Sequence, residues 1–447
     1  MAAELTDPAV IRPDYIPKDG YLSREFLELE QKHLWPRVWQ MTCREEELAE
    51  PGQFVTYEAA NETIIVLRDH AGEIRAFHNV CPHRGRRLKT GCGRMDQLVC
   101  RFHGWRFALD GQCTHIGDLE DWGGRLDYKD AALTPVKVGT WAGFVFINMD
   151  LEAEPLESFL DPINKLFERF EFEKLRFAWY RTGVAQCNWK IAMEGFAEGY
   201  HVQQSHAQML KYFEDYTNSA AYGRHGALWY PNFRMGPAAR LNIKPDPDTR
   251  KYVLSFVRGM RQEVEGLVTE RTAAAVRERI MAEVPADASH DEVVMRFGQY
   301  QREAAEADGA GWPEGLDPQY LYDSRSLWFV FPNFIPLHTG IDCMLVYRAR
   351  PNGDDPNSCI FDIWALERFA PGKEPPLNRE FYPDIMEADW GLILRQDLEH
   401  FAEVQRGMRS SSYRGHRPNP VQEVSLTNFE RALREFIADA MGSERQA

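Results

Sequence analysis

The chain has 447 residues, 44% hydrophobic and 27% charged, and its 68 acidic against 52 basic side chains leave a net charge of −16. That charge does not suit nucleic acid or an anionic membrane as a partner, and the length exceeds one simple core in an otherwise ordinary globular composition. The N-terminal stretch MAAELTDPAVIRPDY has no basic or apolar run, and the most apolar stretch, WAGFVFINM at 141–149, is too short to span a bilayer. The eight scattered cysteines suit a reducing cytoplasm, where clustered Cys and His bind metal rather than pair.

In chain order, residues 22–48 read as helical, with Phe26, Leu27, Leu34 and Trp35 as apolar positions. From Gly52 the texture turns to short β-type runs with turn signals at Ala60-Asn61, His70-Ala71-Gly72 and the Asp110-Gly111 hairpin. These boundaries predict a helical N-terminal segment over 1–44, a small all-β domain over 45–155 and a second domain over 156–447. Residues 152–170 read as a connector and helix leading into the last, and 188–210 as helical in part. Residues 262–307 carry Val276, Ile280 and Val284 at four-residue steps, the pattern of an amphipathic helix. Strand-like runs return in SLWFVFPNF, DCMLVYRARP and SCIFDIWALERF, and a last helical region begins near Asp384.

The β domain contains CPHRGRRLKTGCGRMDQLVCRFHGW, residues 81–105. Cys81 and His83 are followed, with sixteen residues between the pairs, by Cys100 and His103. Two Cys and two His satisfy a structural zinc ion. The order differs from that of a zinc finger, where the Cys pair precedes the His pair. One Cys and one His on each of two loops is what a Rieske [2Fe–2S] cluster needs, because one iron takes both thiolates and the other both imidazoles. Gly85, Gly91, Gly93 and Gly104 suit tight loops around a cluster. Cys113-Thr114-His115 repeats the first spacing without a second pair and reads as part of a hairpin; Cys92 reads as a spare thiol.

A second constellation is EGFAEGYHVQQSH, residues 194–206. His201 and His206 lie five apart, so a helix must end or bulge between them to bring both to one point. With a carboxylate from elsewhere they make the facial triad of a non-haem Fe(II) oxygenase; the bland alternative is two surface histidines.

Together these motifs resemble the large subunit of the Rieske non-haem iron oxygenases, the ring-hydroxylating family. The resemblance spans nearly the whole chain: the 81–103 motif, Asn188-Trp189-Lys190, and DLEHFAEVQRG at 397–407. It implies an α+β architecture, with a small antiparallel β Rieske domain and a helix-grip catalytic domain on which the N-terminal segment packs. It implies a cluster on Cys81, His83, Cys100 and His103, and a mononuclear iron on His201, His206 and Asp397. Gln405 follows Asp397 in the family pattern, and Asp384 and Asp389 are the fallback carboxylates. Glu198 takes the place of the acid that bridges one subunit's cluster to the next subunit's iron, here a neighbour's His103 to His201, in a head-to-tail homotrimer. Glu stands there where Asp is usual, and Gly195 where Asn often stands.

The implied activity is O2 activation with NAD(P)H electrons delivered by a reductase and a ferredoxin, with a small β subunit as a further possible partner. The products would be those of ring dihydroxylation or monooxygenation of an apolar, aromatic small molecule. Oxidative N- or O-dealkylation is the alternative, and a non-catalytic Rieske electron carrier a more distant one. Pocket candidates are Met193, Phe196, Trp328, Phe329, Phe331, Asn333 and Phe334, of which at most half of the 328–334 run can face one cavity. The charged 262–307 segment reads either as a lid or as a solvated helix pair.

Overall fold

The computed structural model describes residues 2–338 and 340–446. Two compact units emerge: residues 29–161, and residues 1–28 together with 162–447.

The first unit is built on a seven-stranded antiparallel sheet. Its strands run in the order Gln40–Arg44, Phe144–Asn148, Pro135–Trp141, Ile74–His78, Glu62–Arg68, Gln53–Ala59 and Cys92–Arg94. A second sheet joins Leu98–Val99, Arg106–Phe107 and Cys113–His115. Its hairpin turns at Asp110-Gly111 as the sequence predicts; Gly111 sits at φ 87°, a conformation that favours glycine. Phe54, Ile65, Leu67, Phe77, Leu98 and Phe107 form the core, and Cys81, Cys100 and Trp105 are buried in the same cluster. Cys113 is a buried strand residue, and Cys92 is exposed on the edge strand.

Residues 22–48 are not one helix. The helix Arg24–Leu29 passes into a π turn, Glu30–Leu34, and Gln40–Arg44 is a strand, buried throughout, that pairs with Phe144–Asn148. Pro36 has no N–H to continue a helical ladder. The compact β unit therefore starts at Leu29 and runs to Asp161, where the sequence reading drew 45 and 155.

The second unit carries an eight-stranded sheet. Its order is Asn218–Tyr222, His225–Trp229, Leu327–Phe329, Phe334–Leu337, Cys343–Asn352, Asp355–Arg368, Leu175–Ala185 and Arg379–Tyr382. Neighbours are antiparallel except the last pair. The central strand Cys343–Asn352 is buried on both faces over Cys343–Ala349, so its residues read as an apolar run rather than an alternation. Helices Trp189–Glu194, Leu392–Met408 and Val424–Gln446 belong to this unit. The N-terminal segment joins it: the Tyr21 hydroxyl donates to Glu194 Oε1 at 2.6 Å.

The 262–307 stretch forms helices Glu270–Glu283 and His290–Ala307. Val276 and Ile280 face inward, and Arg279 bonds Glu283 and Glu303. No helix among the described residues is long and apolar enough to cross a membrane.

Candidate metal centres

The β unit holds two loops of the same construction. In each, the glycine four residues after the cysteine donates its N–H to that cysteine's carbonyl: Gly85 to Cys81 at 3.0 Å, Gly104 to Cys100 at 2.9 Å. In each, the cysteine N–H donates to the carbonyl five residues on: Cys81 to Arg86 at 2.8 Å, Cys100 to Trp105 at 2.9 Å. Both glycines have positive φ, 72° and 74°, which a side chain would strain. One loop closes over Cys-x-His and the other over Cys-x₂-His.

The loops turn both thiols inward and set the imidazoles nearer the surface. Cys81 and Cys100 are 1% and 2% exposed, whereas His83 is half-buried and His103 exposed. The His83 and His103 ring centroids are 4.5 Å apart, and the Trp105 indole stacks on His83 at 4.8 Å. Burial pushes the Cys81 thiol up to about 11, with the neighbouring Cys100 adding to the rise. Burial, His103 and Arg84 lower His83. Thiol beside thiol and imidazole beside imidazole is the donor arrangement of a two-iron cluster. A zinc ion would gather all four donors around one point. Among the described residues, the only set of three or more such donors within 4.8 Å of one another lies elsewhere, and it is His201, His206 and Asp397.

That set is assembled from two places in the chain. The one-turn helix Val202–Ser205 starts after His201 and ends at His206, whose φ of −118° and ψ of 40° leave the helical region. The five-residue step is thereby accommodated, and the two ring centroids come within 5.1 Å. Asp397 projects from the middle of the helix Leu392–Met408. Its Oδ1 lies 2.8 Å from His206 Nε2 and 3.3 Å from His201 Nε2. His201 Nδ1 lies 2.5 Å from Glu198 Oε1, and Glu198 Oε2 also accepts the backbone N–H groups of Tyr200 and His201. Burial opposes a charge on His201, but Glu198 and Asp397 outweigh it and hold the imidazole well above its ordinary value. Burial works against the Asp397 carboxylate, and hydrogen bonds from both histidines keep it below the usual range. Two imidazoles converging on one carboxylate oxygen are a donor set for a divalent transition metal, which displaces the imidazole protons on binding.

Asp384 caps the turn Ile385–Glu387 through the N–H of Met386, and both it and Asp389 are exposed. Gly195 lets two helices approach: a Cβ there would meet Phe401 Cε1 at 3.0 Å.

The pocket candidates separate. Phe196 stacks on Tyr347 at 4.1 Å and packs on Phe361 and Phe401. Met193 Sδ accepts the N–H of Ala349, and Asn333 Nδ2 donates to the Ala349 carbonyl. Trp328 packs on Tyr222 and donates to the Ser324 carbonyl. Phe329 and Phe331 pack on Phe429 of the last helix, and Phe334 is buried in its strand. Tyr347, Phe361, Phe401 and Gln396 were missed from sequence. Tyr347 is raised by burial first and then by Asp397, so its hydroxyl lies within the field of that carboxylate. Phe401 had a usable signal, since it follows Asp397 by one helical turn. A groove of about 810 Å³ lined by Trp179, Leu254, Arg258, Arg261, Glu270 and Arg277 shares no residue with this cluster.

A Rieske [2Fe–2S] domain profile matches residues 38–123, and the ring-hydroxylating alpha subunit catalytic domain matches residues 168–439. The chain belongs to the ring-hydroxylating oxygenase alpha-subunit family, whose cofactors are a Rieske cluster and a mononuclear iron. It is 31% identical over 200 residues to the glycine betaine monooxygenase oxygenase subunit of Pseudomonas aeruginosa, covering 44% of this chain and 46% of that one. It is 34% identical over 194 residues to the carnitine monooxygenase oxygenase subunit of Escherichia coli K12, covering 43% and 52%. The chain thus matches about half the length of these curated relatives. Among solved structures, a quaternary ammonium Rieske monooxygenase with L-carnitine superposes with a TM-score of 0.65 at 18% identity, over 97% of each chain. Naphthalene 1,2-dioxygenase with bound indole gives 0.64 at 20% identity, over 95% of this chain and 92% of that one. The two have the same fold as this chain.

Proposed function

We propose that this chain is the terminal oxygenase component of a Rieske non-haem iron system and that it monooxygenates a quaternary ammonium compound. The convergence of His201, His206 and Asp397 within a ring-hydroxylating catalytic domain carries the oxygenase reading. The relatives' names carry the substrate class. They favour the dealkylation type of monooxygenation over the arene hydroxylation toward which the sequence alone leans.

In this reading Cys81 and Cys100 hold one iron of the cluster and His83 and His103 the other. His201, His206 and Asp397 hold the mononuclear iron, which supplies reductive O2 activation when bound. Asp397 brings one negative charge to the metal point and faces both imidazoles from a single oxygen. Glu198 holds the proton of His201 on Nδ1, which leaves Nε2 free to ligate. The buried aromatic group Phe196, Tyr347, Phe361 and Phe401 keeps water from that side. Electrons would come from a reductase through a ferredoxin, and in a head-to-tail trimer Glu198 would link the site of one copy's cluster to the next copy's mononuclear site. Glu198 already accepts three hydrogen bonds within its own chain, so a neighbour's imidazole would share an oxygen with a backbone N–H.

Metal and acid-labile sulfide analysis should give about three irons and two sulfides per chain. The purified protein with a reductase should then be offered glycine betaine, carnitine, choline and naphthalene, with O2 uptake and product mass recorded. Oxidation of a quaternary ammonium compound supports the proposal. Ring-hydroxylated naphthalene with no turnover of the other three overturns its substrate class, and a chain with two irons and two sulfides overturns the oxygenase reading.

A further inference from the structure

The two histidines of the mononuclear site have different partners behind them. His201 leans on a carboxylate, Glu198. His206 leans on a neutral amide: its Nδ1 lies 2.9 Å from Gln396 Oε1. The same oxygen accepts from Gln208 Nε2 at 2.8 Å.

Gln396 and Asp397 are consecutive on the helix Leu392–Met408, so their side chains leave it about 100° apart. They straddle the His206 ring, with Asp397 on the Nε2 side at 2.8 Å and Gln396 on the Nδ1 side at 2.9 Å. A neutral imidazole has one N–H and one lone pair. To ligate through Nε2 it must carry its proton on Nδ1, and the group facing Nδ1 must then accept. The amide of Gln396 meets that need only with its oxygen turned to the ring, and the donor Gln208 holds it that way round. His206 is 2% exposed, so no water could replace a lost acceptor without rearrangement.

We infer that Gln396 is a positioning residue for the mononuclear metal: it sets the tautomer and the plane of His206, and as a neutral acceptor it does so without adding a carboxylate to the one that Glu198 places on His201. This rests on the assignment of His201, His206 and Asp397 as metal ligands. The role falls to Gln396, which faces the ring, and not to Gln208, which donates to Gln396.

The test is a Co(II) titration of protein depleted of its mononuclear metal, followed by cobalt visible absorption. The Rieske absorption of the same sample reports the β unit. Gln396→Leu should weaken Co(II) binding by about 10- to 100-fold with the Rieske spectrum unchanged. Gln396→Glu restores an acceptor at the same length and should bind Co(II) at least as tightly as wild type, with a shifted cobalt spectrum because a second carboxylate now faces an imidazole. Wild-type affinity in Gln396→Leu overturns the inference, as does an equal loss in the Leu and Glu variants, which would mark Gln396 as a packing residue. Should Gln396→Leu fail to fold, Gln208→Leu decides: it frees the amide to turn and should cost a few-fold in affinity, and no change overturns the inference. If wild type takes up no Co(II), the ligand assignment itself fails, separately from Gln396.

Discussion

Gln405 Oε1 accepts the backbone N–H of Asn188 at 2.9 Å, and both residues are buried. Asn188 caps the helix Trp189–Glu194 through the N–H of Lys190. Gln405 lies on the helix that carries Asp397 and also donates to Asn357 Oδ1 at 2.8 Å. The bond therefore ties the start of the segment leading to His201 to the helix holding the carboxylate. Gln405→Leu leaves the Asn188 N–H buried without an acceptor and should cost about 1–3 kcal/mol. Urea unfolding should show that loss, and a midpoint equal to wild type would show the tie to be energetically idle.

Asp397→Ala and His206→Ala should each lose the mononuclear iron and all product while keeping the Rieske absorption. The reason is that the proposed ligands fall in different units: Cys81, His83, Cys100 and His103 lie in residues 29–161, and His201, His206 and Asp397 in 162–447. Iron analysis with visible spectroscopy checks both halves. Full activity in Asp397→Ala would move the carboxylate ligand elsewhere, though Asp384 and Asp389 are exposed and Asp384 is committed to a cap.

Glu198→Gln should keep both metal centres and slow electron delivery to the mononuclear iron by about tenfold or more. Gln nearly matches the volume, but one of its two polar atoms is a donor, so it cannot accept from His201 on one side and from a second imidazole on the other. Single-turnover reoxidation of the pre-reduced cluster reads this step directly. Wild-type rates at full iron content would remove the bridge and the main reason to expect a head-to-tail trimer.

His338 gives a stability prediction independent of metal. Its ring is buried among Phe167, Phe170 and Phe172, with centroids at 5.2, 4.8 and 5.7 Å. Burial lowers it to about 4, against the pull of the Arg325 carbonyl 2.8 Å from Nε2 and of the Gly340 backbone. Between that value and the ordinary 6.5 the unfolded chain binds a proton that the folded chain refuses. Stability is therefore intact above about pH 6.5 and falls as the pH drops toward 4, by about 2 kcal/mol between pH 7 and pH 5. The urea midpoint should drop more over that interval in wild type than in His338→Leu. Equal drops would mean that His338 is not held neutral.

Each Rieske loop was legible because its construction is local. The cysteine, the histidine and the positive-φ glycine fall within five residues, and the loop closes on hydrogen bonds between them. His201 and His206 were legible for the same reason, with one turn of helix between them. The helices at 270–307 followed from apolar positions repeating at the helical period. Asp397 lay in view only through the family pattern. Nothing near it in sequence distinguishes a metal-facing carboxylate from a solvated one, and its partners lie some 190 residues away. The strand Gln40–Arg44 was hidden because its signal is its partner, Phe144–Asn148, a hundred residues on. Tyr347 and Phe361 were hidden because they sit on central strands buried on both faces, where the alternation that tells one face from the other is erased. The sequence by itself determined the chemistry of the donors and the loops that present them, since short-range hydrogen bonds and backbone torsions depend on adjacent residues. Which carboxylate meets the histidines, which aromatics pack together around Phe196 and which amide stands behind His206 were decided by the packing of distant helices on the sheet.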